Sequence, residues 1–481
     1  IFVVLAAVLT MFQLVDYSRQ RNQYPSGMTI GGVAVGGVSA QAASERVLQV
    51  YSQPVEVQYA GEIIHIDPAG IGFSIDTESM LAAADLARTG SSFWNGFWDH
   101  LWNRTPPSAS IPLRATLSEE RLRTYLQAEI ATRYDQPASS AQPIAGSVTF
   151  ETGQPGQELN ISRAVILIED ALRSPSNRVV SLSLQRTDPL RPTMQNLEIL
   201  LKQIIELSGF DGIMGVYLLD LQSAQEIHFA LDNNVELSTQ PDISFTASST
   251  VKIPIMLSYF IKYGSGQLDE ATVDLILTMI RQSENPPADQ MMDKLDVTIG
   301  PLIVTDDMMK IGLENTFIAG YFEPGSPLLR RITTPANQRL DVNTDPDAYN
   351  QTTPSDIGML LADIYQCAEA GGGALVAAFP TQITQEGCQQ MIDFLIKNKI
   401  GVLIEAGVPE GTQVAHKHGW VSDNFGTIRN ISDASIIYTP GGDYVLTVFA
   451  YHPVQTLWDP VSSLFAELSQ AVYNFFNLPI N

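Results

Sequence analysis

The stretch that decides the fold is Ala247-Ser248-Ser249-Thr250-Val251-Lys252, at the start of an apolar run. Residues three apart lie on the same face of a helix, so the pattern places the Lys252 amine beside the Ser249 hydroxyl. A lysine whose pKa is lowered by burial can take the proton of a serine and make it a nucleophile. The Ser249 N–H at a helix start also has no intrahelical partner and can donate to an oxyanion. The stretch therefore predicts an activated serine at the start of a helix.

Ser-x-x-Lys alone does not establish that prediction. A chain of this length should contain the pattern about once by chance. A helix cap followed by an ordinary exposed lysine has the same sequence. Two further motifs favour the reactive interpretation, Ser283-Glu284-Asn285 and Lys417-His418-Gly419.

The three motifs, in this order, resemble the Ser-x-x-Lys, Ser-Asp-Asn and Lys-Thr-Gly set of class A β-lactamases and penicillin-binding proteins. Glu284 stands where that family has Asp, and His418 stands where it has Thr or Ser. Residues 215–221 also resemble the first sheet strand of the family, and residues 435–446 resemble its last hairpin. The resemblance covers about residues 193 to 481.

The resemblance implies a role for each motif residue. It makes Ser249 the acylated nucleophile, Lys252 its proton acceptor, and Ser283 the relay of a proton to the leaving nitrogen. The substrate contacts that it implies are Asn285 to the amide, Lys417 to the carboxylate with His418 beside it, and the backbone N–H of Trp420, after Gly419, as second oxyanion donor. An acyl donor that carries a carboxylate needs a cation at one end and two N–H groups at its carbonyl, and this set supplies both.

A loop glutamate is the one role that the motifs leave open. In class A β-lactamases such a glutamate activates the water that frees the acyl enzyme, and penicillin-binding relatives that lack it stay acylated by the drug. Glu323-Pro324 falls where the family has Glu-Pro, but the following residues do not match Glu-x-x-Leu-Asn, and an extra segment precedes Thr352. We interpret Glu323 either as the deacylation base or as a solvated loop carboxylate.

The order of predicted elements indicates an α+β fold. Strands near 214–221 and 226–232 precede a mainly helical stretch from 249 to 399. Strands near 412–421, 427–438 and 444–451 and a helix over 460–475 follow. An antiparallel five-stranded sheet interrupted by a helical subdomain, with terminal helices on one face, satisfies this order. Thr353-Pro354 with Asp356 predicts a capped helix start.

Charge and hydropathy indicate the compartment. The chain has 52 acidic and 27 basic residues, a formal charge of -25, so its surface would repel nucleic acid. Residues 1–15 are an uncharged apolar run, followed by Asp16, Arg19 and Arg21. The chain starts without Met, so we expect residues before Ile1. Because no small-residue cleavage site follows, we expect an uncleaved single-pass membrane anchor over residues 1–17, with the catalytic part outside the cytoplasm.

The two cysteines fit an extracytoplasmic setting. Cys367 ends one predicted helix, Cys388 begins the next, and the glycines at 371–373 form a turn between them. An isolated pair in an oxidising compartment is commonly bridged, so we expect a disulfide. The six histidines form no ligand cluster with either cysteine, so we expect no metal and no cofactor.

The region between anchor and catalytic part, residues 22–190, predicts short strands and helices. Residues 28–39 with the helix after them resemble the opening of the peptidoglycan-binding module often found with VanW-type proteins. A weak internal echo, residues 72–76 and 156–160, each before a helix, suggests two related α+β halves separated near residue 115. The resemblance implies cell-wall binding; a purely structural stalk explains the pattern equally well.

Trp94, Trp98 and Trp102 recur every fourth residue, with Phe93 and Phe97 beside them. The spacing predicts a helix, and a stripe of this kind is most often packing surface. A sugar-stacking or membrane-interface role is the alternative, because tryptophan is favoured where one side is apolar and the other wet.

The sequence thus predicts an anchored serine acyl-transfer enzyme, residues 193–481 forming its β-lactamase/D,D-peptidase-like domain. Its expected partners are peptidoglycan stems ending in D-Ala-D-Ala, or β-lactams; no protein partner can be named. The alternatives are a true β-lactamase with Glu323 as base, and a catalytically silent wall-binding or complex-forming subunit. The changes to Glu284 and His418 favour silence, and the five intact motif residues argue against it.

Overall fold

A computed structural model of the chain describes residues 1–104, 108–237, 241–423 and 425–478. The chain divides into two compact units. The first comprises Ile1–Ser139 and Gln154–Leu190, and the second comprises Ser140–Gly153 and Arg191–Asn481. The predicted N-terminal region, 22–190, is therefore not one continuous piece in space, because its residues 140–153 cluster with the C-terminal part.

The chain up to Leu190 is built from short helices and short strands. Its helices are α1 (Phe2–Gln20), α2 (Ala40–Tyr51), α3 (Thr77–Thr89), α4 (Phe93–Leu101), α5 (Glu119–Tyr125), α6 (Thr132–Tyr134) and α7 (Ile161–Arg173). Its strands are β1 (Thr29–Ile30), β2 (Val33–Ala34), β3 (Val55–Tyr59), β4 (Glu62–Ile66), β5 (Ser74–Ile75), β6 (Ser110–Ile111), β7 (Ala115–Thr116), β8 (Gln142–Pro143), β9 (Phe150–Glu151), β10 (Gly156–Leu159), β11 (Val179–Ser181) and β12 (Leu184–Thr187).

The core of the first unit is shared by both of its predicted halves. Strand β3 pairs with β4 antiparallel and with β11 parallel, so a strand from each half meets in one sheet. The two helices of the internal echo begin alike, because Asp76 accepts from the Ser79 N–H and Asn160 accepts from the Arg163 N–H. The halves form one hydrophobic cluster and not two separate modules.

Helix α1 has 19 residues, a mean hydropathy of 1.4 and no buried residue. By length and composition it is apolar enough to cross a membrane. Helix α4 contains Trp94 and Trp98 of the predicted tryptophan stripe, and Trp102 directly follows its last residue. Its phenylalanine Phe97 is buried, whereas Trp94, Trp98 and Trp102 are exposed, so the tryptophans are not packing surface in this chain.

The second unit holds β8, β9 and the rest of the chain. Its helices are α8 (Met194–Ser208), α9 (Lys252–Tyr263), α10 (Glu270–Leu277), α11 (Asn285–Leu295), α12 (Gly300–Lys310), α13 (Pro354–Ala370), α14 (Ala374–Ala378), α15 (Gln385–Ile396) and α16 (Trp458–Phe476). Its further strands are β13 (Ile213–Asp220), β14 (Glu226–Asp232), β15 (Val235–Glu236), β16 (Phe245–Thr246), β17 (Phe317–Ile318), β18 (Asn350–Thr352), β19 (Gln413–Ser422), β20 (Ile428–Tyr438) and β21 (Tyr444–Tyr451).

An antiparallel sheet in the order β15-β14-β13-β21-β20-β19 forms the centre of this unit. Among the described residues this sheet has the five long strands that the sequence predicts and one strand of two residues, β15. Strand β15 pairs with β14 after a tight turn at Asn233 and Asn234. One face packs on the helical subdomain around α9, α11 and α13. The other face packs on α8 and α16. The α+β class and the sheet with its helical subdomain are as predicted.

Helix α13 begins at the predicted cap and leads to the disulfide. The Thr353 hydroxyl accepts from the Asp356 N–H, and Pro354 occupies the first turn. Cys367 near its end is bonded to Cys388 in α15, 21 residues further on. Gly371 ends α13 with a positive φ of 67°, a conformation that glycine adopts without strain. The predicted disulfide is confirmed.

Candidate active site

The candidate nucleophile lies on a tight turn between β16 and α9. Ser248–Val251 form one 3₁₀ turn, and α9 begins at Lys252. The Lys252 amine donates to the Ser249 hydroxyl at 3.0 Å. Lys252 is fully buried and Ser249 is half-buried, so the base is shielded from water while the nucleophile stays accessible.

The turn is held by a residue that the motifs do not include. Ser248 has a φ of 51°, in the left-handed region that costs a non-glycine residue about 1–2 kcal/mol. Its N–H donates to the Asn350 side-chain oxygen at 2.9 Å, and the Asn350 carbonyl accepts from Ala247 at 3.3 Å. Strand β18, which carries Asn350, thus fixes the backbone that aims Ser249.

The second motif meets the first at the Lys252 amine. Lys252 donates to the Ser283 carbonyl and to the Asn285 side-chain oxygen, the latter at 3.0 Å. Ser283 has a φ of 59° because it ends the π-helical turn Thr278–Gln282, and α11 begins at Asn285. The change of direction at Ser283 brings both residues of this motif to one amine.

Lys417 of the third motif completes the cluster from the sheet side. Its amine donates to the Ser283 hydroxyl at 2.8 Å and to the His418 carbonyl at 3.1 Å. Lys417 is fully buried in the middle of β19. Ser283 therefore stands between two lysines, with its hydroxyl on Lys417 and its carbonyl on Lys252.

Burial controls the charge of both lysines. It lowers the pKa of Lys252 to about 7, against the opposing effect of the Asp289 and Glu284 carboxylates. Burial also lowers the pKa of Lys417 well below its usual value, and the charge of Lys252 adds to that shift while Asp433 opposes it. Two amines close to each other in a buried site cannot both hold a proton at low cost, so one of them is available as a base near neutral pH.

The third motif also approaches the nucleophile through its backbone. A Cβ on Gly419 would lie 2.9 Å from the Ser249 nitrogen and 3.1 Å from the Ala247 carbonyl oxygen, so only glycine fits there. The chain at Gly419–Trp420 consequently passes beside the Ser249 N–H. Two N–H donors to one oxyanion require chain segments that approach each other this closely.

The His418 side chain corrects one expectation. It lies on the face of β19 opposite Lys417, buried, stacked on Trp420 with ring centroids 4.7 Å apart and 3.3 Å from the Asn398 amide nitrogen. Burial lowers its pKa to about 2. The ring is therefore a neutral packing group, and it does not replace the family hydroxyl at a substrate carboxylate.

Glu323 lies at the cavity wall with an exposed side chain. Its backbone N–H and that of Phe322 donate to the Asp289 carboxylate at 2.9 and 2.8 Å. Asp289 is half-buried, and burial raises its pKa despite these two bonds. The structure thus ties the loop backbone to α11, while the carboxylates that act on Lys252 are Asp289 and Glu284.

An open cavity of about 380 Å³ gives access to the cluster. Ser249, Asn285, Glu323 and Trp420 line it. Three further lining residues come from the loop before β18, where the sequence shows the extra segment: Ser326, Asp347 and Tyr349. Asn350, the first residue of β18, also lines the cavity. The five residues Ser249, Lys252, Ser283, Asn285 and Lys417 converge at this cavity or directly beneath it.

Sequence reasoning missed three supporting residues. Asp289 could have been found, because it follows Asn285 by four positions and so shares its helix face. Asn350 and Asn398 could not, since their partners Ser248 and His416 are far away in the sequence and meet them only in the folded unit.

Comparison with known proteins gives one family match. Residues 271–476 match a family described as the beta-lactamase enzyme family. The match contains the second and third motifs and begins after Ser249 and Lys252, which are placed here by their geometry. Residues 22–190 lie outside it, so the resemblance to a VanW-associated module stays a prediction. No curated protein sequence matches the chain.

Several solved structures are similar to this chain. PBP-A has 20% identity, with 60% of this chain and 98% of that chain covered and a TM-score of 0.42. An ancestral class A β-lactamase has 22% identity, 58% and 99% coverage and a TM-score of 0.41. A β-lactamase from Sphaerobacter thermophilus DSM 20745 has 17% identity, 58% and 97% coverage and a TM-score of 0.42.

The family match contains two of the three motifs, and the first motif lies shortly before it in the same unit. The resemblance that the motifs predict is therefore confirmed at the level of the family. The second unit of this chain is a β-lactamase-like domain.

Proposed function

We propose that this protein is a membrane-anchored, extracytoplasmic serine acyl-transfer enzyme that acts on the D-Ala-D-Ala end of peptidoglycan stems or on β-lactams. The observation that supports the proposal most strongly is the buried Lys252 amine, bonded to Ser249 and Ser283, with a pKa of about 7. An amine with that pKa is partly neutral near neutral pH and can accept a proton. A lysine with only a structural role would gain no stability from a buried position that disfavours its charged form.

In the acylation step the neutral Lys252 amine takes the Ser249 proton as the serine oxygen attacks the substrate carbonyl. The oxyanion that forms is stabilised by the N–H groups of Ser249 and Trp420. A bond forms between the Ser249 oxygen and the carbonyl carbon. The electron pair of the oxyanion then re-forms the carbonyl double bond as the bond from carbon to nitrogen breaks, and the bonding pair leaves with the nitrogen.

The leaving nitrogen needs the proton that Ser249 lost. The Ser283 hydroxyl accepts from Lys417, and the Ser283 carbonyl accepts from Lys252, so both amines lie close to this residue. In the proposed step the hydroxyl passes its proton to that nitrogen and regains the proton that Lys252 took from Ser249. The Asn285 side chain holds the substrate amide. The Lys417 cation meets the substrate carboxylate, which offsets the cost of burying that cation.

Release of the acyl group distinguishes two forms of the proposal. General-base activation of water is worth about a hundredfold to ten-thousandfold in rate. The exposed Glu323 carboxylate is not among the groups that influence Lys252, and the loop beyond it carries the extra segment. We therefore favour a D,D-peptidase-like enzyme with a long-lived acyl enzyme over a true β-lactamase.

Nitrocefin turnover tests this choice. We expect one stoichiometric burst followed by little turnover, and release of D-alanine from a peptide that ends in D-Ala-D-Ala. The variants are Glu323→Gln and, as a matched control, Glu314→Gln, another exposed carboxylate near this loop. Sustained turnover that only Glu323→Gln abolishes, with acylation intact, would establish the β-lactamase instead. If the protein shows neither nitrocefin acylation nor release of D-alanine, the remaining alternative is a catalytically silent subunit.

The location is the second part of the proposal. Helix α1 has the length and hydropathy of a membrane span, and the disulfide between Cys367 and Cys388 is typical of oxidising compartments. Together they favour an anchored domain outside the cytoplasm. The remainder of the first unit is then a wall-binding module or a spacer, and both roles remain part of the proposal.

A further inference from the structure

Helix α4 presents a face of tryptophans that the proposed reaction does not use. The side chains of Trp94, Trp98 and Trp102 are 62%, 59% and 71% exposed, and Leu101 beside them is also exposed. At 3.6 residues per turn these four positions fall within one arc of about 100°. A contiguous exposed aromatic surface on a folded unit marks an interaction site.

The opposite face of α4 is already occupied by α1. The Tyr17 ring lies 5.3 Å from Phe93, 5.7 Å from Phe97 and 5.4 Å from His100, measured between ring centroids. A Cβ on Gly96 would collide with the Tyr17 hydroxyl, so the two helices are in close contact. The packing on α1 thus fixes which way the tryptophan face points.

The contact lies where α1 changes from apolar to charged. His100 meets Gln13 at 3.2 Å and Asp16 at 3.7 Å. The Arg21 guanidinium donates to the Ser91 carbonyl at 3.3 Å. From Gln13 to Arg21 the helix rises about 12 Å, and the uncharged run ends at Val15 within that distance. Helix α4 therefore lies beside the end of the apolar segment.

We propose that Trp94, Trp98 and Trp102 form an interfacial anchor, which lies in the headgroup layer of the bilayer that α1 crosses. The inference rests on the proposed membrane anchoring of α1. Tryptophan is enriched at this depth, where its ring is half in apolar and half in wet surroundings.

The other side chains of α4 and its surroundings fit a lipid surface. Exposed Asn95 and Asp99 occupy the arc next to the tryptophans and can face water. Arg19 and the exposed Arg104, whose guanidinium lies 3.8 Å from the Asp99 carboxylate, add cations near lipid phosphates in a chain whose overall charge is strongly negative. A glycan would instead require a concave site with polar groups beside the rings, and this face is the convex side of a helix that packs on α1.

Quenching of tryptophan fluorescence by brominated lipids tests the proposal in the full-length protein, reconstituted in phosphatidylcholine vesicles. The chain has five tryptophans, and the other two, Trp420 and Trp458, pack against each other in the second unit. We compare the wild type with a variant that carries Trp94→Phe, Trp98→Phe and Trp102→Phe. A Trp420→Phe/Trp458→Phe variant reports the α4 rings alone.

Lipids brominated near the headgroup should quench most of the tryptophan fluorescence of the variant that keeps only the α4 tryptophans. The same lipids should quench the fluorescence of the triple variant little. Equal quenching of wild type and triple variant, in a protein that resists alkaline extraction, would overturn the inference and leave the α1 anchor intact. Release of the wild type by alkali would overturn the anchor and, with it, the inference. A spectral change of the α4 rings with peptidoglycan fragments, without lipid quenching, would overturn it in favour of a sugar site.

Discussion

At the scale of single residues, two buried lysines within reach of one serine hold the site together. Lys252 touches the nucleophile and Lys417 touches the Ser283 hydroxyl. Each amine is desolvated, and the charge of Lys252 raises the cost of charging Lys417. The same burial that costs stability lowers the pKa of Lys252 to about 7, so that this amine is partly deprotonated near neutral pH and can accept a proton.

The pH dependence of acylation follows from the Lys252 pKa. The rate should rise with pH up to about 7 and then level off, falling about tenfold per pH unit below that value, because the neutral amine is the base. The fully folded chain also binds fewer protons here than the unfolded chain. This burial penalty is complete below pH 7 and diminishes as the pH rises towards the ordinary lysine value of 10.5.

Stopped-flow acylation by a chromogenic cephalosporin measures the profile. Lys252→Arg keeps a cation that does not lose its proton, so acylation should be lost at every pH. Lys262→Arg, on the same helix but bonded to the Leu295 carbonyl, is the matched control and should keep the profile. A pH-independent wild-type rate would exclude Lys252 as the base.

At this scale the sequence predicted correctly those contacts that follow from residue spacing along a helix. It did not predict on which face of strand β19 a side chain lies. The step from Ser249 to Lys252 was predictable from helix periodicity. His418 was assigned to the substrate by its motif position, although neighbouring residues on a strand point to opposite faces, so it could not share the face of Lys417.

At the scale of elements, β19 is the strand that needs support. It is the edge of the sheet in the described part of the chain, so its outer backbone groups have no strand partner. Asn398, fully buried after α15, donates to the His416 carbonyl at 3.0 Å, and the Asn398 carbonyl oxygen lies 3.0 Å from the His416 ring. The His416 ring also meets Asp433 on β20 at 3.0 Å. This network fixes the strand that carries Lys417 and Trp420.

Asn398→Asp should therefore slow acylation and lower stability. The substitution keeps the shape but removes the donor, which leaves a buried carbonyl unpaired at a cost of about 1–3 kcal/mol. Gln389→Glu is the control, because Gln389 on α15 also donates to a backbone carbonyl, that of Ala368, away from β19. Urea denaturation and acylation rates are the measurements. An Asn398→Asp enzyme with unchanged acylation would show that β19 needs no such support.

The disulfide between α13 and α15 should contribute to stability. It closes a loop of 21 residues, for which the chain-entropy estimate is about 3 kcal/mol. We expect the double variant Cys367→Ala/Cys388→Ala to lose about that much free energy of unfolding, and the wild type to lose a similar amount when reduced. If the denaturation midpoint of the wild type did not change on addition of reductant, the predicted contribution of the disulfide would be contradicted.

Helix starts were predictable because the residues that cap them are close in sequence. The residues that hold the candidate site in place were not predictable from the sequence. The Thr353 cap of α13 and the helix that starts after residue 160 follow from residues within one turn of each helix start. Asn350 and Asn398 bind partners 102 and 18 residues away, respectively. No periodicity records such pairs, since they are set by how the elements pack.

At the scale of the whole molecule, the chain combines an N-terminal unit with a β-lactamase-like unit. The segment 140–153 belongs to the second unit although the sequence on both sides of it belongs to the first. Its Phe150 packs on Phe475 of α16, and Asn474 donates to the Val148 carbonyl. The sequence could not show that this segment belongs to the second unit, because strands of two residues have almost no recognisable alternation of polar and apolar residues.

The charge of -25 is also a property of the whole chain. It argues against nucleic acid as a partner and leaves the buried basic residues Lys252 and Lys417 as local exceptions within an acidic protein. An anionic substrate would therefore be attracted by the site and not by the surface as a whole.

The central claim is that Ser249 forms a covalent acyl enzyme. The intact mass of the protein after incubation with benzylpenicillin, quenched in acid at short times, tests it most directly. The wild type should gain the mass of one drug molecule, and Ser249→Ala, with its fold verified by circular dichroism, should gain none. An equal gain in both proteins, or no gain in the wild type at any time, would contradict the account.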